Sequence, residues 1–235
     1  MDKDSYLKAQ VELARPSFYV PSVVVTPKDV ELAKTSLQLV TDEKSSAYRT
    51  KKLAGYSKTC LQWFFEEFYK KLFELCPEAK PLFANTDMTE QGGKVGAMLA
   101  AALGVVYDDP ITCKSVLTKL AKDHSGYGVK AEYYGSVGLS VVLSLKLVLG
   151  EAMDDDMFTA WVRVYSVILD VVLPVACECD MPTNLPSTSS SSSSCSTSLS
   201  LNHLSSKAQN LSIALPLSLI LISAVAMIVF RQRVN

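Results

Sequence analysis

The chain has 235 residues, of which 49% are hydrophobic, enough apolar side chains for a sizeable core. Its 23 basic and 24 acidic residues nearly cancel, so no basic excess predicts a nucleic-acid partner. The six cysteines are scattered along the chain rather than framing short loops, which indicates thiols in a reducing compartment rather than a disulfide framework. Cys177 and Cys179 have no second pair and no neighbouring histidine, so zinc binding is not expected there.

Residues 1–25 are predicted to form an N-terminal extension. They are charged from the start and lack the apolar stretch of a secretory signal, so we do not expect a cleaved signal. Residues 19–25 are the one short run with a strand-like pattern. The helical region is predicted to begin with Thr26 as N-cap, Pro27 at the first helical position, and Asp29 and Glu31 in the first turn.

The following segments carry apolar residues three and four positions apart, which is typical of helices packed on one face. In the first of them this pattern comprises Leu61, Phe65, Phe68 and Leu72. The sequence predicts helices over about 59–74, 87–106, 113–124, 131–149 and 155–178. The predicted fold class is therefore all-α, with one domain over residues 26–180.

The C-terminal part differs in composition from the rest. Residues 181–208 are rich in serine and predict a disordered, flexible linker. The 20 residues from Leu211 to Phe230 carry no charge, long enough for a helix to cross a bilayer core of roughly 30 Å. Arg231 and Arg233 follow. We expect residues 209–235 to form one transmembrane anchor with a short basic tail; the alternative, a buried core helix, is disfavoured by the preceding linker.

His124 is one of only two histidines, and the other, His203, lies in the serine-rich linker. Two interpretations of His124 compete. It can end a helix, with Ser125 and Gly126 as the cap and the helix dipole favouring its charge. Alternatively, Leu117 and Leu120 place it on the apolar face, where an unsatisfied polar group costs roughly 1–3 kcal/mol and a metal would supply the partner.

Three stretches around this histidine carry a family resemblance: FYKKLFELCPEAKPLF (68–83), LAKDHSGYGVKAEYYGSVG (120–138) and AWVRVYSVILDVV (160–172). Their order and separations resemble helices B–C, F–G and H of globins, closest to the flavohaemoglobin-like and neuroglobin-like single-domain branch. The resemblance implies the globin fold, with helices A–H around a haem pocket, and haem b (iron protoporphyrin IX) as cofactor. Residues 42–59 make the connection before the B helix longer than is usual in that family.

The resemblance also implies roles on the proximal side of the haem. His124 would bind the iron through Nε2, and Phe83 would stack on the porphyrin. Val129 and Val137 would pack against the proximal face of the ring. Tyr134 and Glu178 would complete a His–Tyr–Glu network, in which a carboxylate behind the imidazole pushes electron density towards the iron.

On the distal side, the resemblance implies that Tyr69 donates a hydrogen bond to the bound gas. Lys94 is the best match for the distal residue of the next helix, with Gln91 one turn earlier as the alternative. The family more usually has glutamine or histidine at that position, and a lysine can reach out to solvent instead. Met98, on the same helix, is expected to line the pocket.

The implied function is binding of O2 or another diatomic gas, such as NO, at ferrous iron, for oxygen binding, storage or sensing at a membrane surface. The alternative is an NO dioxygenase or related haem oxidase, which needs an electron in each turnover. Flavohaemoglobins receive it from a fused reductase; the residues after Met181 are too few for one, so a separate reductase is expected. A third alternative, a haem-free helical adaptor, is disfavoured because His124, Phe83 and Tyr69 occur together. We expect a single-pass, tail-anchored protein with the globin domain facing the cytosol.

Overall fold

The structure is a computed structural model that describes residues 2–181. This part of the chain contains eight α-helices and no strand, which confirms the predicted all-α class. The predicted anchor from Leu211 to Phe230 and all but the first residue of the predicted linker lie outside the described residues. The helices are α1 (Lys3–Ala14), α2 (Pro27–Thr41), α3 (Ser46–Leu53), α4 (Cys60–Leu75), α5 (Met88–Val105), α6 (Pro110–Gly126), α7 (Tyr133–Leu149) and α8 (Asp155–Cys179), with 3-10 turns at Pro77–Phe83 and Gly150–Ala152.

The predicted start of α2 is confirmed in detail. The Thr26 side chain accepts a hydrogen bond from the Asp29 backbone N–H at 3.2 Å, and the Asp29 carboxylate accepts one from the Thr26 backbone N–H at 2.8 Å. Together these bonds form a capping box that satisfies two backbone donors at the helix start. The Arg163 guanidinium, 3.4 Å away, ties this cap to α8.

Two helices were missed by the sequence-based prediction, and the strand-like run is not a strand. α1 lies within the expected extension and packs on α8 through partly buried Leu7 and Val11. α3 lies within the long connection and buries only Tyr48. Residues 19–25 pair with α8 instead of another strand, since the Val20 N–H donates to the Ser166 hydroxyl at 3.1 Å.

The core lies between α4, α7 and α8, with α2 and α6 packed against α8. Trp161 of α8 is completely buried, and its indole N–H donates to the Ser36 hydroxyl at 2.8 Å. This bond satisfies the one polar atom of the indole, so burial of the ring in the core leaves no unsatisfied hydrogen-bond donor. Phe64 and Phe68 fill the opposite side from α4.

α5 crosses α4 at two glycines. A Cβ added to Gly92 would lie 2.8 Å from Phe65 Cγ, and one added to Gly96 would lie 3.1 Å from Phe65 Cζ. The Phe65 ring therefore occupies the space of the missing side chains, and only glycine lets the two helices approach this closely. The crossing places α5 beside the helix that carries Tyr69.

Two described helical segments, Tyr133–Ala152 and Asp155–Cys179, are long and apolar enough to cross a membrane by length and composition alone. However, 50% and 61% of their most apolar windows are buried inside the domain. Because these helices pack on α4, α2 and α6, their apolar character is explained by the core.

We predict opposite effects for two neighbouring glycines of α5. Gly92→Ala should lower the free energy of unfolding by about 1–3 kcal/mol, because its methyl group would overlap the Phe65 ring. Gly93→Ala meets no atom within 4 Å and should raise it by up to about 1 kcal/mol through helix propensity. Urea unfolding followed by circular dichroism measures both, and equal effects would contradict the tight crossing.

Candidate haem site

Tyr69 lies on the buried face of α4 within a cluster of aromatic rings. Its ring meets Phe83 edge-on at 5.6 Å between centroids, and Phe73 contacts the same Phe83 ring at 5.5 Å. The Tyr69 hydroxyl is buried and has no hydrogen-bond partner among the described residues. Burial raises the pKa of this phenol above its ordinary value, so it remains a protonated donor at neutral pH.

Phe83 ends the 3-10 turn Pro77–Phe83 and is half-buried. Its ring also borders a shallow depression of about 460 Å³ that neither Tyr69 nor His124 lines. Leu82, the preceding residue, lies 3.5 Å from the position of a Cβ on Gly128, in the turn after α6. The Phe83 turn and the loop that follows His124 therefore meet at one edge of the site.

His124 lies in the last turn of α6, and its ring Nδ1 is 2.9 Å from the Leu120 carbonyl oxygen. Because a carbonyl oxygen can only accept a hydrogen bond, we assign the proton to Nδ1, and Nε2 keeps its lone pair. Burial lowers the pKa of His124, against the opposing effect of the Leu120 carbonyl. The neutral imidazole with a free Nε2 is the form that binds metals, whereas a capping histidine stabilised by the helix dipole would have a raised pKa.

Tyr134, at the start of α7, lies beside this imidazole, with 6.4 Å between ring centroids. Its hydroxyl is also buried without a hydrogen-bond partner among the described residues. Burial raises the pKa of the Tyr134 phenol, and the nearby Asp180 carboxylate adds to the effect. The structure therefore brings together the histidine and the tyrosine of the predicted network.

Glu178 is placed elsewhere, and this part of the prediction is corrected. Its carboxylate lies at the surface, 58% exposed, and pairs with the Lys3 ammonium at 3.2 Å. In this last turn of α8, Ala176 and Cys177 face inwards. The carboxylate that raises the pKa of Tyr134 is Asp180, which sequence reasoning missed, and it accepts a hydrogen bond from the Ala131 N–H at 2.9 Å.

The two α5 residues proposed for the distal side are both half-buried. The Lys94 ammonium lies 2.9 Å from the Glu90 carboxylate one turn away, with the Lys94 side chain 21% exposed and that of Glu90 63% exposed. Gln91 carries no charge and so cannot form such an ion pair. Met98, Val129 and Val137 are partly buried and pack against the core.

This set of donors fits an iron porphyrin. Among residues 2–181 there is no group of three His, Cys, Asp or Glu side chains that could hold a metal ion. A porphyrin brings four nitrogen ligands of its own, so a single neutral imidazole suffices to complete an axial position. The two buried phenols and the aromatic ring of Phe83 supply polar and apolar contacts for such a group.

The helical fold and this donor set define a haem-binding protein of the all-α class. Comparison with known proteins then gives the family, since residues 66–172 match the family model described as Globin. These findings support a flavohaemoglobin-like globin domain, with haem as its cofactor.

The similar curated proteins are flavohemoproteins. The chain is 34% identical over 110 residues to that of Chromobacterium violaceum, covering 46% of this chain and 27% of that protein. It is 32% identical over 115 residues to that of Rhizobium meliloti, covering 48% and 28%. For the Bacillus subtilis flavohemoprotein the identity is 30% over 111 residues, covering 46% and 27%. The matched region thus spans little more than a quarter of these relatives.

We predict that removing either unpaired phenol stabilises the haem-free protein. Tyr69→Phe and Tyr134→Phe each delete a buried hydroxyl without a partner, so the free energy of unfolding should rise by about 1 kcal/mol. Tyr165→Phe is the matched control. The Tyr165 hydroxyl donates to the Tyr134 carbonyl at 2.7 Å, so its loss should lower the free energy by about 1–3 kcal/mol. Urea unfolding of the apoprotein measures all three, and a loss of stability in Tyr69→Phe would show that its hydroxyl is already satisfied.

Proposed function

We propose that this globin binds a diatomic gas, O2 or NO, at ferrous haem iron, with His124 as the proximal ligand. The observation that carries the proposal is the bond from His124 Nδ1–H to the Leu120 carbonyl, because it leaves Nε2 as a lone-pair donor on a partly buried ring. A metal-binding histidine commonly has such a partner behind it, which fixes the tautomer and orients the ring.

Tyr69 would contact the bound gas on the distal side. Its phenol is protonated, buried and without another acceptor among the described residues, so it can donate a hydrogen bond to a polar ligand in an apolar pocket. Haem, when bound, supplies the iron at which the gas binds. Gln91 is the better candidate for a second distal contact, since Lys94 is engaged with Glu90.

Apolar residues would enclose the group. Phe83 would stack on the porphyrin, and Val129 and Val137 would pack on the side of His124. Met98 would contribute from α5. All four are partly buried and packed against the core, which supports these roles without distinguishing them from ordinary packing.

We expect His124→Ala to abolish stable haem binding. Even partners of metal ligands change affinity by about 10–100-fold, so removing the ligand should cost more than about 100-fold. Titration of apoprotein with hemin, followed at the Soret band, measures the affinity. His203→Ala, at the only other histidine, is the control and should bind as the unaltered chain does. An equally intense Soret band in His124→Ala would refute the proposed ligand.

A second candidate is an NO dioxygenase or haem oxidase supplied by a separate reductase. It is supported by the similarity to flavohemoproteins, of which the matched region spans little more than a quarter. Against it, a carboxylate bonded behind the proximal imidazole favours chemistry on O2, and among the described residues no carboxylate accepts a hydrogen bond from Tyr134. Glu178 pairs with Lys3 at the surface, and Asp180 accepts from the Ala131 N–H. Reversible gas binding for storage, supply or sensing is therefore the preferred function.

We predict that Glu178→Gln leaves the proximal ligand unchanged. Because Glu178 contacts Lys3 and not Tyr134, the iron–histidine stretching band in resonance Raman spectra of the ferrous protein should not shift. With NO, O2 and a surrogate reductase, nitrate should stay stoichiometric with haem. A band shift in Glu178→Gln, or sustained nitrate production, would favour the dioxygenase.

We also propose that the domain is held at a membrane. The support comes from the sequence: the segment from Leu211 to Phe230 has no charge and follows a serine-rich stretch. In this proposal residues 26–180 form the globin domain, residues 181–208 a flexible linker, and residues 209–235 a single anchor with a short basic tail. The globin domain would face the cytosol, and any reductase could share the same membrane.

A further inference from the structure

The long connection between α2 and α4 carries an unusual surface. Residues 44–58 include five basic side chains and no acidic one. α3 occupies the middle of this segment, and residues 53–55 form its exposed end, here called the α3 tip. Leu53 is 90% exposed, the highest value among the exposed large hydrophobic residues of the described chain. A single exposed leucine is ordinary on a protein surface. Its position within a basic segment is what makes the α3 tip a candidate docking site.

The segment that carries the α3 tip is held to the domain by hydrogen bonds. Tyr48 is buried, and its hydroxyl donates to the Lys58 carbonyl at 2.9 Å, which joins the two ends of the segment. The hydroxyl of Ser45, the N-cap of α3, donates to the Val148 carbonyl of α7. The tip therefore projects from the core and does not belong to a loose loop.

Cations surround the tip. The Lys51 ammonium lies over the rings of Tyr56 and Trp63, 4.8 and 4.7 Å from their centroids. Arg49 donates to the Lys44 carbonyl, and neither Arg49 nor Lys51 forms an ion pair with a described carboxylate. The Arg49 charge is therefore available to an external anion, whereas the Lys51 ammonium is held over the two rings.

The other three cations form ion pairs at the surface. Lys44 pairs with Asp42, Lys52 with Glu43 and Lys58 with Glu66. The three lysine side chains in these pairs are 55–65% exposed. Exposed pairs of this kind are weak and are readily exchanged for other anions.

We infer that the α3 tip docks on an anionic lipid surface, with Leu53 entering the headgroup region and Arg49 and Lys52 meeting the lipid phosphates. An exposed apolar side chain flanked by cations suits such a surface, because one supplies buried apolar area and the others supply charge attraction. Each cation near an anionic membrane contributes roughly fivefold to binding.

The chain itself argues for a bilayer as the occupant. The uncharged segment from Leu211 to Phe230 follows the described domain after about 30 residues, which in the proposed placement would act as a tether with a reach on the order of 30 Å. A domain on such a tether stays next to the membrane, where even weak docking is effective. The inference rests on the proposed membrane placement and is independent of haem binding.

Hydrogen exchange of the full chain with lipid vesicles tests the inference. Vesicles of phosphatidylcholine alone are compared with vesicles that also contain phosphatidylserine. Peptides covering residues 44–58 should exchange more slowly with the anionic vesicles only, and high salt should remove the protection. Flotation of the same samples reports binding directly, so the result is informative whether or not the C-terminal segment inserts.

The double variant Arg49→Glu/Lys52→Glu and the single variant Leu53→Ser should each lose the protection. Lys119→Glu/Lys122→Glu, which changes the same charge on exposed positions of α6, is the matched control and should keep it. All variants should bind hemin like the unaltered chain, so a failure of the gas-binding proposal would be seen separately at the Soret band. Equal protection in both vesicle types, loss of protection in the α6 control, or protection that requires an added acidic protein would overturn the inference.

Discussion

The hydrogen bond between His124 Nδ1–H and the Leu120 carbonyl is the interaction on which the site depends. It forms within one turn of α6, so the helix itself fixes the orientation of the ring and the position of its proton. Burial then keeps the imidazole neutral. Together these two effects produce a nitrogen donor whose lone pair points away from its own helix. The roles proposed for the other residues of the site depend on this donor.

The surroundings of this donor contain polar groups that the protein leaves without partners. The hydroxyls of Tyr69 and Tyr134 are both buried and unpaired among the described residues, at a cost of about 1–3 kcal/mol each. Tyr165, by contrast, is equally enclosed and fully satisfied. The fold therefore satisfies one buried phenol and leaves two others unpaired beside the haem site. A bound ligand could supply the missing hydrogen bonds, and unsatisfied polar groups of this kind are expected at functional pockets.

The outer helices α1 and α3 add two features to the domain besides the haem site. α1 packs on α8 and holds Glu178 at the surface through Lys3, which removes that carboxylate from the neighbourhood of Tyr134. α3 fills the long connection before α4 and presents Leu53 among cations. With Glu178 at the surface, the Tyr134 hydroxyl has no carboxylate partner among the described residues, which favours reversible binding. The second gives the domain a face suited to the membrane that its C-terminal segment predicts.

The sequence alone was sufficient for the core helices, the N-cap at Thr26 and the fold class, because apolar periodicity and local capping are encoded by neighbouring residues. The pairing of His124 with Tyr134 was expected only from the resemblance to globins. It did not reveal α1 or α3, whose faces bury few side chains and leave little periodic signal. It also misplaced Glu178 and left Lys94 open. The packing of α8 buries Ala176 and Cys177 and leaves Glu178 exposed, where it meets Lys3, 175 positions away. Lys94 meets Glu90, one turn away. Apolar periodicity in the sequence indicates which face of a helix is buried. Only the packed structure determines which partner a polar side chain at a helix end or at the edge of the buried face will contact.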